Sequence, residues 1–217
     1  MKKALAALAV AMAFAAPVSA ATIGTIGPAN EGLFPLDLPN PLNGVYGEQI
    51  FLNIFTNIRV TILGSEAGFN NSFSFGSVTY NTGGNTNAFF DTGLGNNDYL
   101  GTGIASWVVS NVATGLLNFS FGVNNNASTV VNGLNPDGSF ANSPPNFFAS
   151  FLPGFNSFGG SSVLLFLDDG GAGPDDNHDD LIVRLDIAPI PVPAAGLMLL
   201  LALGGLGAMA RRRRNAA

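Results

Sequence analysis

The chain has 217 residues, no cysteine, one histidine and a formal charge of −6. Six of its eight basic residues stand at the two ends, so residues 21–188 set only Arg59 and Arg184 against all 14 acidic residues, a net of −12. That balance excludes thiol catalysis, thiolate zinc sites, iron–sulfur clusters and a nucleic-acid partner, and it favours divalent cations.

The first element is a leader. Met1-Lys2-Lys3 is basic, Ala4 to Ala16 is apolar, and Val18-Ser19-Ala20 is a small-residue cleavage site. The pattern predicts a secretory signal peptide over 1–20, cut between Ala20 and Ala21. Its apolar run is short for a membrane anchor.

The region 21–188 reads as one exported domain of all-β class, an antiparallel sandwich with a jelly-roll-like barrel as the alternative. Apolar residues alternate with polar ones at Ile58, Val60 and Ile62, at Phe73 and Phe75, at Leu117, Phe119, Phe121 and Val123, and at Leu181, Val183, Leu185 and Ile187. A period of two predicts strands with one buried face. Turn chemistry separates them at Gly64–Asn71, Asn81–Asn85, Gly93–Asn97 and Asn124–Asn126. No segment of the body carries a helical apolar stripe. Gly27–Asn43, with four prolines, and Asn132–Gly160, with Pro144-Pro145, read as long loops. The phenylalanines at 140, 147, 148, 151, 155 and 158 are expected to fold back over one end of the sandwich.

Between strands expected at Ser161–Leu167 and Leu181–Ile187 lies an acidic loop, with six of the 14 acidic residues in 13 positions. Packed carboxylates repel one another and call for a counter-ion. Calcium takes six to eight hard oxygen ligands, so it is the expected cofactor. Asp175, Asn177 and Asp179 form a D-x-N-x-D pattern, with Asp168, Asp169 and Asp180 beside them. Asp180 stands where an EF-hand needs glycine, and a strand follows, so the reading is a β-hairpin calcium loop. Asp176 and His178 fall on the other side of the alternation and are left out of the ligand set. A zinc role for His178 is weaker still, because hard oxygen neighbours suit calcium. The bland alternative is a solvated acidic turn.

No catalytic residues are assigned. Trp107 is the only tryptophan, no G-x-S-x-G motif frames a serine, and the one histidine lies in the acidic loop. The chain reads as a non-enzyme.

The last element is a tripartite tail over 189–217. Ile190-Pro191-Val192-Pro193-Ala194 is followed by an apolar stretch to Ala210, then by Arg211, Arg212, Arg213 and Arg214. As a helix, 194–210 would span roughly 25 Å, near the lower limit for a membrane. The arginines would hold the C-terminus inside. This arrangement resembles the PEP-CTERM class of Gram-negative exosortase substrates, closest to its V-P-L-P-A variant. The usual acidic residue between the prolines is replaced by Val192. The stretch Asp168-Asp169-Gly170 … Asp179-Asp180-Leu181-Ile182-Val183-Arg184 also looks like one that recurs in exported proteins of this class. The resemblance covers about an eighth of the chain. It implies export by signal peptidase and Sec-type machinery, anchoring in the cytoplasmic membrane, cutting by an exosortase, and placement at the cell surface or in extracellular matrix. The expected function is therefore a sorted envelope protein with a calcium-stabilised structural or adhesive β domain, with exopolysaccharide as a partner. The alternatives are a calcium-dependent lectin-like module and, less favoured, a small hydrolase.

Overall fold

A computed structural model describes residues 20–25, 30–33, 43–47, 49–65, 67–83, 103–136, 144–154, 159–170, 178–188, 203–207 and 211–212. The described chain is predominantly β, in three antiparallel sheets. The largest has seven strands in the order β2 (Asn30–Leu33), β3 (Asn43–Tyr46), β12 (Asn146–Leu152), β14 (Ser162–Asp168), β15 (Leu181–Ala188), β5 (Thr56–Gly64) and β8 (Ala105–Val112). A second contains β13 (Gly159–Gly160), β1 (Ile23–Thr25), β4 (Ile50–Leu52) and β9 (Gly115–Leu116). The third contains β11 (Ser128–Val131), β10 (Phe119–Val123), β6 (Ser72–Phe75) and β7 (Val78–Asn81).

One core joins all three. Ile58, Val60, Ile62, Phe147, Ala149, Phe151, Val163, Leu165, Val183 and Leu185 line one face of the large sheet. Against them lie Phe73, Phe75, Phe119, Phe121 and Val123 of the third sheet and Ile23, Ile50 and Leu52 of the second. The result is sandwich-like. Rings dominate the contact: Phe73 lies 5.0 Å from Phe121, and Phe147 lies 5.5 Å from Phe119 and 5.8 Å from Phe121, centroid to centroid. These spacings fall in the range where tilted and edge contacts add to area burial.

The alternation read from the sequence holds in β5, β6 and β10. It fails in the middle of the large sheet. Tyr46, Phe148, Leu152, Leu164, Phe166 and Ile182 form a second buried cluster on the opposite face. A strand buried on both sides carries no period, only a continuous apolar run. For this reason Asn132–Gly160 is not one long loop. Its middle is β12, which pairs with β14 over seven positions, from Asn146 opposite Asp168 to Leu152 opposite Ser162. Phe147, Phe148 and Phe151 are strand residues of the two clusters and do not cap one end. Gly27–Asn43 likewise contains β2, which pairs with β3.

Buried asparagines complete the joints. Asn132 accepts from the Ile50 N–H through Oδ1 at 2.8 Å and donates to the carbonyls of Ile50 and Leu117 at 2.8 and 2.7 Å. Asn135 does the same for both backbone groups of Phe147, at 2.8 and 2.9 Å. Each side-chain amide replaces a missing ladder partner, so no backbone group is buried unpaid there.

Of the terminal segments, residues 203–207 and 211–212 are helical, with Leu203 56% and Leu206 61% exposed. Among the described residues no helix is long and apolar enough to cross a membrane. Most of the expected span 194–210 lies outside the described residues, as do Val18, the motif 190–194, Arg213 and Arg214. Ala20 and Ala21 lie in irregular backbone, where Asn53 donates to the Ala20 carbonyl at 3.4 Å.

Candidate metal centre

Four acidic residues that the structure describes, Asp168, Asp169, Asp179 and Asp180, meet where β14 leaves the large sheet and β15 returns. Strand alternation puts Asp168 on the same face as Leu164 and Phe166, and only 1% of it is exposed. Asp169 follows at the strand end and is also buried. Asp179 and Asp180 precede β15, half-buried. The ends are tied together. The Asp169 N–H donates to Asp180 Oδ2 at 2.7 Å, and the Gly170 N–H donates to Asp168 Oδ1 at 3.1 Å. Asp175 and Asn177 lie outside the described residues.

The electrostatics are those of crowded carboxylates. Burial pushes Asp180 up, and the charges of Asp169, Asp179 and Asp168 push it further; the hydrogen bond from Asp169 opposes them. The net result is a pKa of about 9, so Asp180 holds a proton at neutral pH. A divalent cation in this place could displace that proton. Among the described residues, no group of three or more His, Cys, Asp or Glu side chains is arranged to hold a metal ion.

His178 lies in the acidic loop, as the sequence suggested, but it is buried there. It is 1% exposed, with its ring edge-on to Tyr46 at 5.5 Å and Nε2 2.8 Å from Asn146 Oδ1. Asn146 stands opposite Asp168 in the β12–β14 register. With Asn146 Oδ1 as acceptor, Nε2 carries the ring proton. Burial lowers its pKa to about 4, against an upward pull from Asp168. His178 is thus neutral at pH 7, its ring packed against Tyr46 and hydrogen-bonded to Asn146.

Sequence reasoning missed Asn71. It is fully buried, and its Nδ2 donates to Asp169 Oδ2 at 2.5 Å. Its Oδ1 accepts from the Asn124 N–H at 3.3 Å, and its backbone N–H donates to Thr82 Oγ1 at 2.9 Å. One side chain therefore joins the acidic hairpin to the β10–β11 turn. That turn holds Asn124, Asn125 and Asn126 at φ of 48°, 58° and 65°, a left-handed run that asparagine tolerates better than most residues. Asn70 clasps it, donating to Asn125 Oδ1 at 2.7 Å. Gly122 has no room for a side chain, because a Cβ there would strike Asn126 Oδ1 and Ser72 Oγ. The only sequence signal for Asn71 was its place in a turn.

Asn71→Ala is expected to cost about 2–5 kcal/mol, because it removes at once the acceptor of the Asn124 N–H and a buried donor to the Asp169 carboxylate. Urea denaturation checks this, with Asn53→Ala, on an exposed joint, as the mild comparison.

No protein-family model matches this chain, and no curated protein or solved structure matches it either.

Proposed function

We propose that this chain is an exported envelope protein, delivered by its leader, held by its C-terminal segment, and cut by an exosortase near Pro193. Its body, residues 21–188, is read as a β-sandwich stabilised by calcium at the β14–β15 hairpin, with a structural or adhesive role at the cell surface or in extracellular matrix. The observation that carries the calcium reading is Asp180, whose carboxyl is held protonated by its burial first and then by the charges of Asp169, Asp179 and Asp168 around it. Calcium satisfies several such oxygens at once, whereas a proton satisfies one. The sorting reading rests on the sequence of the two ends.

Asp175→Ala combined with Asp179→Ala should abolish any calcium-induced rise in melting temperature. An unchanged rise would move the site elsewhere. For the tail, replacing Arg211 to Arg214 with neutral residues should disturb membrane orientation. Unaltered location and mass of the mature protein would remove the basic cluster from sorting.

The second reading, a calcium-dependent lectin-like module with exopolysaccharide as ligand, is favoured by one feature. The amide-rich turn of Asn124–Asn126 lies one residue, Asn71, away from Asp169. A glycan array with and without chelator separates the two readings: chelator-sensitive sugar binding selects the lectin.

A further inference from the structure

The seven-stranded sheet ends at β8, which among the described residues pairs only with β5. Its eight residues, Ala-Ser-Trp-Val-Val-Ser-Asn-Val, contain no charge and no proline. Natural edge strands are usually blunted by Lys, Pro or shortness, since their free N–H and C=O groups invite another strand. Here the blunting is confined to the last residues, where the β5 register shifts between Thr56 and Ile58 and Asn111 takes φ 59°. Among the described residues the core is also less completely covered at this border. Ile58, Val60 and Ile62 of β5 are 0% exposed, but their neighbours Ala105, Trp107 and Val109 on β8 are only half-buried. On the other face Ser106, Val108 and Ser110 are exposed, Val108 by 47%.

The charge pattern selects the occupant. Copies of a body carrying −12 repel one another across most of their surfaces. Yet β5 and β8 contain no carboxylate, and exposed Arg59 sits beside Val108 in the ladder. The nearest carboxylate in the register, Asp186, is held by Arg184 Nε at 2.9 Å. Among the described residues, this border is where two such bodies can approach without opposing acids.

We propose that β8 is the surface through which two copies of this chain pair, antiparallel, about a two-fold axis perpendicular to the sheet at Val108. That axis keeps both cores on one side. It sets Ser106 opposite Ser110 of the second copy, and Trp107 opposite its Val109, so each copy covers the half-open core of the other. The register keeps Trp107 away from the left-handed Asn111. The pairing needs no metal and stands apart from the hairpin site.

Sedimentation of the detergent-solubilised full chain over a concentration series tests this. Wild type should show a reversible dimer. Val108→Lys, a charge on an exposed edge position, should be monomeric, with the melting curve that wild type shows at dilutions where it too is monomeric. Val78→Lys, exposed on the edge strand β7, should still dimerise. The chain has no cysteine, so Val108→Cys adds a single thiol and should cross-link on mild oxidation, whereas Val78→Cys should not. A wild type that stays monomeric, or a dimer that Val108→Lys leaves intact, would overturn the proposal. A Lys-sensitive dimer without the Val108→Cys cross-link would overturn its two-fold register.

Discussion

Phe147→Ala is expected to destabilise the body by about 3–5 kcal/mol, the usual cost of removing a buried ring from a close-packed core. The side chain is 1% exposed and sits between Phe119 and Phe121 of the opposing sheet. Both backbone groups of Phe147 are clamped by Asn135, so the strand cannot collapse into the gap and the cavity should persist. Phe55→Ala is the comparison. That ring is 49% exposed, and its loss should cost about 0.5 kcal/mol or less. Urea midpoints at constant slope read both. A Phe147→Ala loss below about 1 kcal/mol would mean that the two sheets do not share this core.

The second large effect is on pH dependence without calcium. Asp180 titrates near 9 when folded and near its ordinary 3.8 when unfolded. Between those values the folded state holds one more proton, so stability falls as pH rises. His178 works in the opposite sense. Folding lowers it from 6.5 to about 4, so in that window the unfolded state holds the extra proton and stability rises with pH. The two slopes cancel between about pH 4 and 6.5. Above that the opposing slope of His178 is gone and that of Asp180 remains, at about 1.4 kcal/mol per pH unit, or about 3 kcal/mol by pH 9. In chelator, the melting temperature should therefore be flat from mildly acidic to neutral pH and then decline. Asp180→Asn, which imitates the protonated carboxyl, should remove the decline. A decline that persists in that variant would assign it to another group.

What the sequence made legible follows from one-sided burial. β6 and β10 face the core with alternate residues, and their phenylalanines announce them. β12 and β14 are buried on both faces, so Asn146–Leu152 offers no period, and the prolines and asparagines around it imitate a loop. A strand inside such a stretch is recognisable only from its pairing with β14, a long-range fact. The acidic hairpin was legible as a cluster because its residues are consecutive. Its environment was not. Asn71 lies 98 residues from Asp169, and Asn146 lies 32 from His178, so no local pattern joins them. The burial of His178 was hidden for the same reason: its neighbours in sequence are acidic and polar, whereas its neighbours in space are Tyr46 and Asn146. The edge strand β8 was hidden because an apolar, uncharged run reads alike at an edge or a centre.

The most direct test of the calcium account is a calorimetric calcium titration of residues 21–188 at pH 7, repeated in buffers of different ionisation heat. Displacement of the Asp180 proton predicts saturable binding with release of close to one proton per site, together with a rise in melting temperature of the kind mass action requires. Asp180→Asn should bind without that release or fail to bind. No heat and no rise in melting temperature at millimolar calcium would contradict the account, leaving the β14–β15 hairpin as a protonated acidic turn.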